Sequence, residues 1–223
     1  MKILAITDTH GRDDIVKKIV DGEGGNDVIV LGGDITADGT LQEGWADILS
    51  DRCPVILGVA GNMDSISVDK IMEQGGHSLN GKGTILAGVG FFGVSGVPHS
   101  PLNAPYEISE EEILLRAEEG LRQVHAAPVK VFVPHAPPFD TPLDKMFLGK
   151  HVGSKSVRLF IDRYQPDVVI CGHIHEARGM TTIGKTKVIN CGMAGKGYYG
   201  VVTIGGTISV ENRSLFPRPE GLS

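Results

Sequence analysis

Five short clusters in this sequence carry side chains that can bind metal ions: Asp8-Thr9-His10, Gly33-Asp34, Gly61-Asn62, His135 and Gly172-His173-Ile174-His175. Together they supply four imidazoles, two carboxylates and one amide. Nitrogen and oxygen donors without a thiolate suit manganese, iron, cobalt, nickel or zinc. A catalytic zinc takes about three protein ligands plus water. Seven donors are therefore too many for one ion and suit two, with one carboxylate shared. D-x-H and H-x-H in extended loops also put both ligands on one side of the backbone, because side-chain direction repeats every second residue.

Taken singly, each cluster has a plainer reading. Asp8-x-His10 fits a turn or helix cap, Asp34 an Asx-turn, and Asn62 a helix cap. His135, among Pro134, Pro137 and Pro138, could simply pack in a rigid loop. Two imidazoles at the end of a buried strand, as in Gly172-His173-Ile174-His175, are harder to dismiss, because buried polar groups without partners are costly.

The elements that must position these residues decide between the readings. Residues 2–7, 27–32, 55–60, 129–134 and 167–172 are short, β-branched and almost wholly apolar. Such runs predict strands covered on both faces, as in parallel sheets. Every cluster follows one of these strands, in order. Ligands of parallel α/β sheets bind beyond the carboxyl ends of the strands, so all five clusters fall at one edge. Helices are predicted at 13–21, with Ile15, Val16, Ile19 and Val20 on one face, at 108–125 behind a Ser109-x-x-Glu112 capping box, and at 154–164, stopping before Pro166. Residues 84–96 predict two strands, and hairpins are predicted around Gly184-Lys185 and Gly205-Gly206. Glycine, 31 of 223 residues, is about twice its roughly 7% average, and it gathers at strand ends and turns where the backbone bends or approaches something closely. With no repeat and no dividing linker, the pattern predicts one α/β domain over 1–223, two mixed sheets face to face with helices outside, and an irregular tail from about 212.

Composition narrows the function. No apolar run approaches the roughly 18 residues of a membrane span, and no charged segment precedes an apolar one at the start, so a cytoplasmic location is expected. Cys53, Cys171 and Cys191 are far apart and read as small buried hydrophobes. The net charge is −6, and the basic residues are scattered, which argues against a phosphate-backbone binder. Neither nucleic acid nor a membrane is expected as a partner, and self-association is left open.

Read in order, D-x-H (8–10), G-D (33–34), G-N-x-D (61–64), His135 and G-H-x-H (172–175) resemble the calcineurin-like metallophosphoesterase superfamily. Asp144 after HAPP (135–138), GKHVGS (149–154) and CGHIHEARG (171–179) resemble, more narrowly, its small Icc-related predicted phosphoesterases. The resemblance implies an α/β/β/α sandwich with a dinuclear centre. One ion would take Asp8, His10, Asp34 and His175, the other Asp34, Asn62, His135 and His173, with Asp34 bridging. It implies catalytic roles for Asp34, Asn62 and His135, attack on phosphorus by a hydroxide held between two divalent ions, and manganese among the candidate metals. Asp64 and Glu176 are expected to orient the imidazoles. Many members carry His after the Asn; here Met63 stands there, and a thioether neither protonates nor donates a hydrogen bond.

Two further residues are candidates for contact with substrate. His99, in the GVPHSP loop, is a proton donor if it reaches the cleft and otherwise a surface histidine. Ser154 is expected to cap the helix that follows, whose N-terminus could hold a phosphate oxygen. The expected activity is hydrolysis of a small phosphodiester, or of an activated phosphomonoester, with the diester favoured. Ile35-Thr36-Ala37 after Gly33-Asp34 disfavours a protein phosphatase, and the acidic charge disfavours a nuclease. The alternative is a protein-binding scaffold on the same fold, which would have no physical reason to keep a full set of ligands at one edge.

Overall fold

The β-branched runs do form strands, and glycines and short polar residues close them. The computed structural model describes residues 1–41 and 45–216. In chain order the strands and helices are β1 (Lys2–Ile6), α1 (Asp13–Glu23), β2 (Val28–Gly32), α2 (Asp47–Ser50), β3 (Ile56–Val59), α3 (Ile66–Gln74), β4 (Gly83–Leu86) and β5 (Val89–Val94). There follow β6 (Val97–Pro98), β7 (Glu107–Ile108), α4 (Glu110–Gln123), β8 (Val129–Pro134), α5 (Lys155–Tyr164), β9 (Val168–Cys171), β10 (Gly179–Ile183), β11 (Thr186–Asn190), β12 (Tyr198–Ile204) and β13 (Ile208–Ser214).

One sheet has the order β13-β12-β1-β2-β3 and the other β10-β11-β9-β8-β5-β4. Strands β1, β2 and β3 run parallel, as do β5, β8, β9 and β11, while β12, β13, β4 and β10 add antiparallel edges. Alternation along β1 sorts its side chains into two cores. Ile3 and Ala5 meet Phe91, Val131, Val133 and Ile170 of the second sheet, whereas Leu4 and Ile6 meet Ile15 and Ile19 of α1 and Val68 and Met72 of α3. On the far side, α4 and α5 cover the second sheet, with Phe92 and Phe132 stacked at 5.0 Å and Phe160 tilted against Phe132 at 4.7 Å. The architecture is the expected α/β/β/α sandwich.

Three details depart from the sequence reading. Strand β13 runs on to Ser214 because Arg213 and Ser214 stay in register with Tyr199 and Tyr198, and Arg213 also pairs with Glu23 and Glu211. The tail expected from 212 is thus strand as far as 214, and its residues 217–223 lie outside the described ones. Only half of the Ser109 capping box forms: Ser109 Oγ accepts from Glu112 N at 3.1 Å, while the Glu112 carboxylate turns to Arg116 at 2.7 Å. Helix α3 and the short pair β6–β7, absent from the sequence reading, pack around the loop that follows β3.

Candidate active site

The ends of β1, β2 and β3 in one sheet and of β8 and β9 in the other meet at one edge of the sandwich. Their loops are stitched together: Asp8 N donates to Gly33 O at 2.9 Å, His10 N to Asp34 O at 2.9 Å, and Gly172 N to His135 O at 3.1 Å. Asp8, His10, Asp34 and His173 all have positive φ, between 47° and 67°. Outside glycine that backbone region is sparsely used and is enriched in Asp, Asn and His. Such strain persists where the surrounding structure over-determines it, and it clusters at functional sites.

Glycine before a ligand has a steric reason in three clusters. A Cβ on Gly33 would stand 2.4 Å from His135 Nδ1, one on Gly61 2.1 Å from Asp34 Oδ1, and one on Gly172 2.2 Å from Asp8 Oδ2. Each glycine leaves room for a ligand contributed by a different strand end. That steric need explains the G-D, G-N and G-H pairs of the sequence.

Two sets of donors result. In the first, His175 Nε2 lies 3.1 Å from Asp8 Oδ1 and 3.4 Å from His10 Nε2. In the second, His135 Nε2 lies 3.1 Å from Asn62 Oδ1 and 3.6 Å from Asp34 Oδ1. Asp34 faces both, since its other oxygen, Oδ2, is 3.9 Å from His10 Nε2. Met63 N donates to Asp34 Oδ1 at 2.7 Å and holds the carboxylate in place. Ligand atoms of Asp8, His10 and His175 lie within 4.8 Å of one another, as do those of Asp8, Asp34 and His135. The His173 ring belongs to neither tight group; it stands beside His135, ring centroids 5.3 Å apart, while its backbone N–H donates to Asp8.

The hydrogen bonding shows that a cation fits. His135 Nδ1 is 2.7 Å from Gly32 O, and a carbonyl only accepts, so the proton sits on Nδ1. In the neutral form that metal binding requires, the ring turns the lone pair of Nε2 toward Asn62 Oδ1 and Asp34 Oδ1. Three acceptors converge with no hydrogen between them, an arrangement that a positive ion satisfies. A backbone carbonyl fixing the tautomer of a ligating imidazole is a common support for such a centre.

Electrostatics is arranged around the same point. Burial raises the Asp34 carboxyl, and the charges of Asp8 and Asp64 raise it further; His135 and the Met63 amide oppose this without cancelling it. Burial also acts upward on Asp8, but the hydrogen bond from His175 and the nearby imidazoles outweigh it and leave Asp8 lowered. The Asp8 hydrogen bond raises His175 against its own burial. Enclosure, and then His135, push His173 down to about 3, so its ring is neutral and one ring nitrogen keeps a lone pair for a cation.

Three expected accessory roles are corrected. Asp64 does not orient an imidazole: fully buried, it accepts from Ile35 N, Thr36 N, Thr36 Oγ1 and Gly61 N, and so ties the Asp34 loop to the Asn62 loop. Glu176 is exposed and makes no hydrogen bond or ion pair among the described residues. Ser154 caps α5 as expected, accepting from Val157 N at 3.1 Å, but it is wholly buried. The N-terminus of that helix already holds an anion: the Glu110 carboxylate accepts from Ser154 Oγ at 2.6 Å, Lys155 N at 2.8 Å and Ser156 N at 2.9 Å. No amide there is left for a phosphate.

His99 belongs to an arm, residues 97–107, that rests on the Asn62 loop. Gly96 N donates to Ala60 O at 3.0 Å and Tyr106 N to Asn62 O at 3.1 Å. Beneath it the buried Asp69 accepts from Tyr106 Oη at 2.5 Å, Ser95 Oγ at 2.7 Å and Asn80 Nδ2 at 2.8 Å, and Ser95 Oγ accepts in turn from Ala60 N at 2.9 Å. Burial and the Asp69 charge push the Tyr106 phenol up to about 12, which keeps it a donor.

Comparison with known proteins agrees with this geometry. The sequence pattern of the calcineurin-like phosphoesterases matches residues 1–177. An uncharacterized protein of Methanocaldococcus jannaschii is 36% identical over 201 residues, covering 85% of this chain and 87% of its own. The chain belongs to the calcineurin-like phosphoesterase family. Among solved structures, TT1561 of Thermus thermophilus superposes with a TM-score of 0.72 at 18% identity, covering 95% of this chain and 98% of its own. A novel archaeal phosphodiesterase gives 0.56 at 15% identity, covering 96% and 100%. In this calcineurin-like phosphoesterase the matched stretch contains all seven ligand candidates, and β10 to β13 beyond it complete both sheets. Membership implies divalent metal ions and a phosphoester substrate. Among the described residues, no helix is long and apolar enough to cross a membrane.

Proposed function

We propose that this metallophosphoesterase uses two divalent transition metal ions to hydrolyse a small phosphodiester, or an activated phosphomonoester. One observation carries the reading: the two oxygens of Asp34 face different donor sets, Oδ1 toward His135 at 3.6 Å and Oδ2 toward His10 at 3.9 Å. Asp8, His10, Asp34 and His175 would hold one ion, and Asp34, Asn62, His135 and His173 the other. The thiolate-free set suits Mn, Fe, Co, Ni or Zn. Such a pair lowers the pKa of bound water from about 15.7 toward 7 and offsets charge on the phosphoryl oxygens.

The chain's own part is positioning. Met63 N fixes Asp34, Gly32 O sets the His135 tautomer, and Asp64 locks two ligand loops together, so the donors need little rearrangement. A small substrate suits the scattered basic residues. The charge of Lys196 is felt at His175, and a single cation suits the one negative charge of a diester better than the two of a monoester.

Turnover tests the proposal. The purified chain, assayed with Mn, Co, Ni, Zn and Mg, is expected to hydrolyse bis-p-nitrophenyl phosphate faster than p-nitrophenyl phosphate, and a chelator should abolish both activities. No turnover with any of these metals would contradict catalysis and favour a scaffold. Faster monoester cleavage would contradict the diester preference.

A further inference from the structure

The ligand cluster contains no group suited to hand a proton to a departing alkoxide. Its imidazoles face the cation positions or lie against them, its carboxylates accept, and Met63 beside Asn62 is a thioether. Four other histidines remain. His77 is bound to Ile56 O at the start of β3, away from the ligand edge, and His125 follows α4, bound to Arg122 O. His151 turns Nδ1 to Asp144 at 2.7 Å, with Nε2 toward Asp140. His99 is the one whose arm is hydrogen-bonded directly to the Asn62 loop.

A firmly held carboxylate stands beside it. The Glu107 carboxylate is fixed by Ser100 N at 3.0 Å, Ser100 Oγ at 2.6 Å and Ala104 N at 3.0 Å. His99 Nδ1 lies 3.7 Å from Glu107 Oε2, so Nε2 is on the ring edge turned away from the carboxylate. The Glu107 side chain is 7% exposed and that of His99 is 68% exposed, which pairs a held anchor with an imidazole that solvent can reprotonate. Tyr106 N, one residue before Glu107, donates to Asn62 O at 3.1 Å, which sets the base of the arm beside the Asn62 ligand.

We propose that His99 is the proton donor to the leaving oxygen and that Glu107 is its positioning residue, so that unactivated alkyl phosphoesters are within the substrate range. The proposal rests on the phosphoesterase reading above. As water adds to phosphorus and gives up a proton to solvent, the bond from phosphorus to the ester oxygen breaks and its electron pair goes to that oxygen. The proton on His99 Nε2 goes to the same oxygen, which leaves as an alcohol, and the neutral ring regains a proton from solvent. A positioned acid of this kind is typically worth about 10²–10⁴-fold.

The test is a plot of log kcat/KM against leaving-group pKa for methyl aryl and methyl alkyl phosphodiesters, with wild type and His99→Ala. The expected wild-type slope is shallow. His99→Ala should steepen it, costing alkyl esters roughly 10²-fold or more and the p-nitrophenyl ester only a few-fold. Glu107→Gln should lower kcat for the alkyl esters more than it raises KM. Independently of turnover, the His99 ring proton resonances should shift when inorganic phosphate binds the zinc-loaded chain. Parallel slopes, equal losses on both ester classes, or unmoved resonances would overturn the proposal. A wild-type chain that cleaves the alkyl esters no better than His99→Ala overturns this proposal alone; one that cleaves no aryl ester overturns the proposed function with it.

Discussion

His10 and His175 keep 25% and 34% of their side chains exposed, whereas the His135 side chain is completely enclosed. One half of the site is open, and the hydrogen bond to Asp8 raises its His175 above the ordinary imidazole value. The other half is closed and set in advance, with the His135 tautomer fixed by Gly32 O and the His173 ring held neutral. Asp34 faces both, one oxygen toward each, and Asp8 lies within 4.8 Å of donors in both. The open half should therefore exchange its ion readily and respond to pH, while the closed half should hold its ion against both.

The largest expected effect removes what the halves share. Asp34→Asn should impair both ions and lower kcat/KM about 10³-fold or more, since an ion pair of this kind supplies several kcat-determining kcal/mol. Asn62→Ala should weaken only the ion of the closed half. Retention of turnover within a few-fold by Asp34→Asn, read by steady-state kinetics beside elemental analysis, would break the comparison. Next comes Gly61→Ala. Its Cβ would meet Asp34 Oδ1 at 2.1 Å, and a misplacement of about 1 Å can cost roughly 10²-fold. Circular dichroism should show the fold intact; unchanged kcat/KM would mean that Asp34 need not stand where it does.

The smallest effect is a dependence on pH, and its sign differs between the empty and loaded chain. His175 is raised above 6.5 in the folded chain. In the metal-free protein its contribution to stability is fully present below 6.5 and is lost as pH rises through the folded value. Metal binding needs the lone pair that the proton occupies, so affinity at the open half should rise with pH over that same window, by at most about tenfold per pH unit. Titration calorimetry in buffers of different ionisation enthalpy should show proton release on binding near pH 6.5 and less at pH 8. Release that is absent at both would contradict the assignment of His175.

How much of this was legible beforehand follows from the range of each interaction. Strands β1, β2, β3, β8 and β9 were readable because unbroken β-branched runs need no distant partner to declare themselves, and the ligands were readable because they follow those runs. Ala87-Gly88, with φ of 48° and 82°, closes the β4–β5 hairpin where a turn with two positive φ values belongs. What escaped depends on residues far apart in sequence. Glu110 occupies the N-terminus of α5 from 44 to 46 positions away, and nothing local to Ser154 announces it. Asp69 gathers Tyr106, Asn80 and Ser95 from three segments, and Asp64 binds backbone amides that could come from any loop. The glycines were visible, but their purpose was not, because the 2.1 Å at which a Cβ on residue 61 would meet Asp34 Oδ1 arises only once two strands are side by side.

The central claim is that one carboxylate joins two cation sites of unlike exposure, and metal stoichiometry tests it most directly. Elemental analysis of the chain saturated with manganese and freed of excess should give two ions per chain in the wild type, one after Asn62→Ala, and fewer than one after Asp34→Asn. A single ion per chain at saturation in the wild type, or two retained by Asp34→Asn, would contradict it.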